Sequence, residues 1–122
     1  MKRLLVLVLA LFIIFGVSMT TVEAGEAILS WDPPTTNADG TPLTDLAGYK
    51  VYRGMVSGVY SAIPFDVGNV TSYTFSGLSE GTTYYYAITA YDASGNESAY
   101  SNEVNKTMPQ VKPSPPTGCT IQ

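Results

Sequence analysis

The sequence predicts an all-β domain over residues 25–108, built as a two-sheet sandwich or a small barrel. Three observations carry this. Apolar and polar residues alternate in short segments from Ala27 to Thr107, the period-two pattern of half-buried strands. Gly, Pro, Asn and Asp separate those segments, and each favours turns for a stereochemical reason. No stretch after residue 24 holds a helical apolar period between capping residues.

The first strand is expected at Ala27–Trp31, with Ala27, Leu29 and Trp31 on one face. Asp32-Pro33-Pro34 ends it, because proline has no N–H to give a ladder. A polar loop comes next, with turn signals at Asp39-Gly40 and Thr41-Pro42. Gly48–Arg53 is the second strand, with Tyr49 and Val51 on one face and Lys50 and Tyr52 on the other. After a turn at Gly54–Gly58, Tyr60–Phe65 reads as a weaker strand, at a sheet edge because of Pro64. Asp66–Val70 reads as a turn, and Ser72–Ser76 as a strand with Tyr73 and Phe75 inward. Thr83–Asp92 is the longest strand. Its alternation puts Tyr84, Tyr86, Ile88 and Ala90 on the core face, and Tyr85, Ala87, Thr89 and Tyr91 on the other. Ala93-Ser94-Gly95-Asn96 is a tight loop, and Glu103–Thr107 closes the domain with Val104 inward. From Met108 the composition turns proline-rich, so residues 109–122 are expected as an extended tail.

Residues 1–24 read as a signal peptide. Lys2 and Arg3 precede an apolar run from Leu4 to Val17, and small residues at Val22 and Ala24 place cleavage after Ala24. The alternative is an uncleaved anchor, but the run is shorter than the ~20 residues a spanning helix needs. The expected location is periplasmic, extracellular or cell-surface associated, with no stable membrane span after cleavage.

Without that segment, four Lys and Arg face nine Asp and Glu. Such an acidic product has little to offer phosphate backbones or anionic membranes, so no nucleic-acid partner is expected. The sequence has no histidine. This removes serine and cysteine hydrolase triads and the commonest metal ligand. Glycoside hydrolysis needs two acids across a cleft. The acids here lie mainly in turns, and so small a domain has little room for a cleft. Asn37–Thr41 and Asp92–Glu97 are oxygen-rich, but neither has the spaced ligand set of a calcium loop, and both read as turn chemistry. No catalytic residue, metal ligand or cofactor is therefore assigned. Cys119 is the single cysteine, so it is a candidate only for an intermolecular disulfide.

Five pieces, in order, resemble a fibronectin type III domain. They are L-S-W-D-P-P at Leu29–Pro34, G-Y-K-V-Y-R-G at Gly48–Gly54, and L-x-x-G-T-x-Y through Leu78, Gly81, Thr82 and Tyr84. The Tyr84–Asp92 run is the fourth, and G-N-E-S with S-N-E-V within Gly95–Val104 is the fifth. The resemblance covers residues 26–108. It implies an immunoglobulin-like sandwich of fibronectin type III topology, with two sheets about 10 Å apart. It also implies a core of Trp31, Tyr49, Val51, Leu78, Tyr84, Tyr86 and Ile88. Tyr84 would be the tyrosine that bonds back to nearby backbone at the corner before its strand.

One departure stands out. Cleavage after Ala24 leaves only Gly25-Glu26 before Ala27, so the family's first strand is short or missing. The tail sequence P-S-P-P-T-G-C-T-I-Q resembles the opening of such a strand. Two readings stay open. In one the tail completes the sandwich, in its own chain or in a neighbour; in the other the edge stays short and the tail unpaired.

Tyr52, Tyr85 and Tyr91 are the candidate partner surface, since exposed tyrosines offer apolar area with a polar tip. The competing role for these rings is cross-strand stabilisation. The functional expectation is an exported, non-catalytic binding or adhesion module for an extracytoplasmic protein or glycan. The alternative is a structural subunit that self-associates through residues 117–122, by strand exchange or a Cys119 disulfide.

Overall fold

The computed structural model of the chain describes residues 25–122, and the expected signal peptide lies outside them. The described residues form strands β1 (Gly25–Ser30), β2 (Leu46–Gly54), β3 (Phe65–Gly68), β4 (Ser72–Leu78), β5 (Thr83–Asp92) and β6 (Val104–Thr107). β1 and β4 pair in a two-stranded sheet, and the second sheet runs β3-β2-β5-β6. All pairings are antiparallel. This is the all-β, two-sheet sandwich, one of the two architectures the alternation allows and the one the resemblance implies.

The inward parity of each strand fills the space between the sheets. Ala27 and Leu29 of β1, Phe75 and Leu78 of β4, Val51 of β2, and Tyr84 and Tyr86 of β5 are buried in one cluster. Tyr49 is buried beside it, with Trp31 edge-on at 5.4 Å between ring centroids. Trp31 lies one residue beyond β1, and both it and Ile88 are only partly buried against the cluster. Phe75 and Leu78 are three residues apart yet both point inward. Gly77, at φ +69°, adds one residue to β4 between them, opposite Gly25–Ala27. Burying one such side chain contributes about 1.5–3 kcal/mol.

The corner forms as the resemblance implies. The Ser79 N–H donates to the Tyr84 hydroxyl at 3.1 Å, so the buried phenol has its partner.

Several local expectations are corrected. The strand expected at Tyr60–Phe65 lies at Phe65–Gly68, sharing only Phe65 with that expectation and otherwise falling within the segment read as a turn. The Ser61 N–H returns to the Arg53 carbonyl at 2.9 Å and the Val59 N–H to the Val56 carbonyl at 3.0 Å. A tight turn therefore occupies the chain after Gly54. Gly54 is required there, because a Cβ would overlap the Val59 carbonyl oxygen. Pairing resumes only past Pro64, with Val51 opposite Phe65.

Tyr73 packs on Phe75 at 5.0 Å but stays 40 % exposed, and Val104 is exposed at the outer edge of β6. Met108, expected as the last residue of the domain but not as part of its core, is buried in it. Its N–H donates to Thr82 O and its carbonyl accepts from Gly81 N–H, both at 2.9 Å. Its sulfur fills the place of a side chain at Gly25, where a Cβ would lie 2.5 Å away.

Beyond Met108 the tail is exposed and forms no strand. One bond fixes its first part, from the Val111 N–H to Glu80 Oε1 at 3.2 Å. β1 pairs with β4 alone among the described residues.

Candidate functional site

The candidate surface is the outer face of the four-stranded sheet. Along β2 and β5 the opposed pairs on this face are Gly48 with Tyr91, Lys50 with Thr89, Tyr52 with Ala87, and Gly54 with Tyr85. Ala87 and Thr89 point outward yet are buried, because a second layer covers them.

That layer comes from two loops. After β5, the Glu97–Ser101 segment returns along the strand. Ser98 N–H donates to Ala90 O at 2.8 Å, and Ala90 N–H donates to Ser98 Oγ at 2.9 Å. Ser101 and Ile88 repeat this clamp at 2.8 and 2.9 Å. The return segment takes three residues for two of β5, and the extra length turns Tyr100 over the sheet. Tyr100 meets Tyr52 at 4.9 Å and Tyr60 at 5.1 Å, both edge to face. Tyr52 and Tyr60 complete the triangle at 6.5 Å.

Two glutamates hold the layer. Glu97 accepts from the Tyr52 hydroxyl and from Thr89 Oγ1 at 2.7 Å, with Lys50 Nζ at 3.5 Å. Glu103 accepts from Ser57 Oγ at 2.6 Å, Gly58 N–H at 2.8 Å and the Tyr60 hydroxyl at 2.6 Å. These bonds stabilise the charged carboxylates and hold both below the usual glutamate value. They oppose loss of the phenol protons. Tyr52 is pushed up to about 12, chiefly by its bond to Glu97. Tyr60 is pushed up to about 12 by burial first and Glu103 second.

The three tyrosines singled out from the sequence do not form one patch. Tyr52 is in the triangle. Tyr91 lies across Gly48, donates to Asp66 Oδ1 at 2.8 Å, and has Lys50 Nζ 5.6 Å from its ring centre. Tyr85 is opposite Gly54 and Asn105, towards the other end of the face. The Tyr52 and Tyr91 hydroxyls are both bound to carboxylates, so only their rings are partly open. Tyr60 and Tyr100 join the surface without having been singled out by the sequence pattern. The available signal is the spacing Glu97-Ser98 and Ser101-Asn102-Glu103, which places acid and hydroxyl groups beside a strand they can clamp.

Among the described residues no group of His, Cys, Asp and Glu is arranged to hold a metal. No helix among them is long and apolar enough to cross a membrane. Cys119 is exposed.

Comparison with known proteins places this geometry. The chain is 38% identical over 90 residues to an alpha-amylase of Niallia circulans, covering 74% of this chain and 6% of that protein. It is 35% identical over 106 residues to exoglucanase B of Cellulomonas fimi, covering 87% and 8%. It is 39% identical over 85 residues to chitinase A1 of Niallia circulans, covering 70% and 10%. The chain thus spans about a tenth or less of each of these relatives. The sixth fibronectin type III domain of human fibronectin type III domain containing protein 3 superposes with a TM-score of 0.55. It is 28% identical, over 81% of this chain and 98% of that one. A beta-1,2-glucanase from Parabacteroides distasonis gives 0.54 at 26% identity, over 75% and 12%. The family model for the fibronectin type III domain matches residues 13–107, beginning twelve residues before β1. The chain belongs to the fibronectin type III domain family.

Proposed function

We propose that this domain is an exported, non-catalytic module that holds a glycan chain against its tyrosine face. The observation that carries the reading is the Tyr52–Tyr60–Tyr100 triangle, edge-to-face on the outer sheet with Tyr100 54 % exposed. Sugar rings pack their C–H faces on such apolar area, and phenol oxygens at its rim give polar contacts. The relatives support glycan over protein as partner. Their names, alpha-amylase, exoglucanase B and chitinase A1, are those of glycan-degrading enzymes, and this chain matches only a small part of each.

The test is retention of the purified domain on insoluble starch, cellulose and chitin. Wild type is compared with Tyr52→Ala, Tyr85→Ala, Tyr91→Ala and Tyr100→Ala, each checked for folding by circular dichroism. Tyr52→Ala and Tyr100→Ala should lose binding most. Equal retention by all five proteins, or none by wild type, would sink the glycan reading.

A further inference from the structure

Among the described residues the sandwich is open where β1 and β6 face each other. The groove between them has a volume of about 790 Å³ and is lined by Leu29, Trp31, Tyr86 and Ile88, with exposed Ile28 and Val104. Its β1 wall is a strand edge. The Trp31 N–H donates to Thr71 O at 3.0 Å. Bonded pairs alternate along an antiparallel ladder, so Leu29, opposite Tyr73, and Ala27, opposite Phe75, turn their backbone groups to β4. Glu26, Ile28 and Ser30 therefore turn theirs to the groove. Lys106 Nζ bears out the direction by donating to Glu26 O at 2.7 Å. No described strand lies on that side of Ile28 and Ser30. The buried Trp31 Nε1 also has no partner among the described residues.

The chain carries a segment with the pattern of the strand this edge would accept. In Thr117–Gln122, Cys119 and Ile121 alternate with Gly118, Thr120 and Gln122, which gives a strand one apolar face. Both are exposed, Ile121 at 97 %. None of residues 109–122 lines the groove of its own chain. Gln110 packs on Gly81, Val111 is bonded to Glu80, and Pro113, Pro115 and Pro116 stiffen the stretch leading to Thr117.

We propose that residues 117–122 of one molecule add as a strand to the open edge of β1 in a second copy and close its groove. Donor and acceptor are different surfaces, so copies join head to tail or by reciprocal exchange of two tails. The inference does not rest on the glycan reading, which concerns the outer face of the other sheet.

The exported protein, run with and without reductant, tests this by size exclusion with light scattering over a concentration series. Species heavier than the monomer are expected. Deleting residues 117–122, or Ile121→Asp in the exposed tail, should return the protein to monomer, with the melting temperature of wild type diluted to its own monomer. In the associated form the Ile28 and Ser30 amides should exchange at least about tenfold more slowly than in the deletion, and Cys119 should alkylate more slowly. A monomer at every concentration overturns the proposal. So does association that vanishes under reductant, which would make Cys119 the link. A monomer destabilised by the deletion would overturn it by showing that the tail fills its own groove. Residues 13–24 retained on the exported chain and protecting Ile28 and Ser30 would overturn it by showing that the groove is theirs.

Discussion

Tyr91 reaches the carboxylate of Asp66 at 2.8 Å by lying across Gly48. A Cβ at Gly48 would sit 2.6 Å from the Tyr91 hydroxyl oxygen and 2.7 Å from the carbon bearing it. The absent side chain is what lets the ring pass. Gly48→Ala is expected to cost about 1–3 kcal/mol by overpacking. It should also return the Tyr91 hydroxyl towards an ordinary phenol value, because the bond to Asp66 is the main cause of its rise. Chemical denaturation and ultraviolet titration measure the two effects. Adding Tyr91→Ala should recover part of the lost stability, and no recovery would place the cost elsewhere.

Two tyrosines should respond to the same substitution with opposite signs. Tyr84 has its bond to Ser79, whereas the buried Tyr49 hydroxyl has no partner among the described residues. Tyr84→Phe should lower stability by about 1 kcal/mol, the worth of a typical bond, and Tyr49→Phe should be neutral or raise it by about 1 kcal/mol. Denaturant midpoints at constant slope distinguish these outcomes. Two losses of equal size would show that Tyr49 is satisfied in solution.

The glutamate anchors set the pH response. Glu97 and Glu103 lie below their usual 4.5, chiefly through bonds from Tyr52 and Ser57 respectively. Their stabilisation is therefore present above pH 4.5 and is lost as pH falls through the lower folded values. Tyr52 and Tyr60 act in the opposite sense. Each is raised from 10.0 to about 12, so their stabilisation holds below pH 10 and is lost as pH rises through 12. Thermal melts across pH should fall at both ends. Glu97→Gln with Glu103→Gln should flatten the acid limb.

Met108 marks where the domain stops. Met108→Ala should cost about 2–5 kcal/mol, in the range for emptying a buried site. A chain ending at Val111 should melt close to the full length, while one ending at Thr107 should melt markedly lower. Equal melting of both truncations would remove Met108 from the core.

β5 is legible in the sequence because its alternation survives on both faces, and Tyr84 because its corner depends on local spacing. β2 is readable for the same reason, with Tyr49 and Val51 inward and Tyr52 outward. β3 is not, since a four-residue edge strand with one turn-forming glycine carries almost no periodic signal, and the turn after Gly54 displaces it. The triangle brings Tyr52 and Tyr60, on either side of one turn, to Tyr100 from a segment far along the chain, through long-range bonds of Glu97 and Glu103 that strand alternation does not encode. The burial of Met108 is hidden by its neighbours, because a lone methionine before Pro109 shows no inward pattern until Gly25 is seen to lack a side chain opposite it.

The contact of Met108 with Gly25 joins the first described residue of the domain to its last buried one. A chain synthesised from its N-terminus therefore cannot finish its core until Met108 has emerged. Until then Gly25 faces an empty place, and the β1–β4 sheet lacks the side chain that seals its end. The domain is thus tied to completion of the whole chain segment, and a product cut short by a few residues before 108 is marked by an unsealed end.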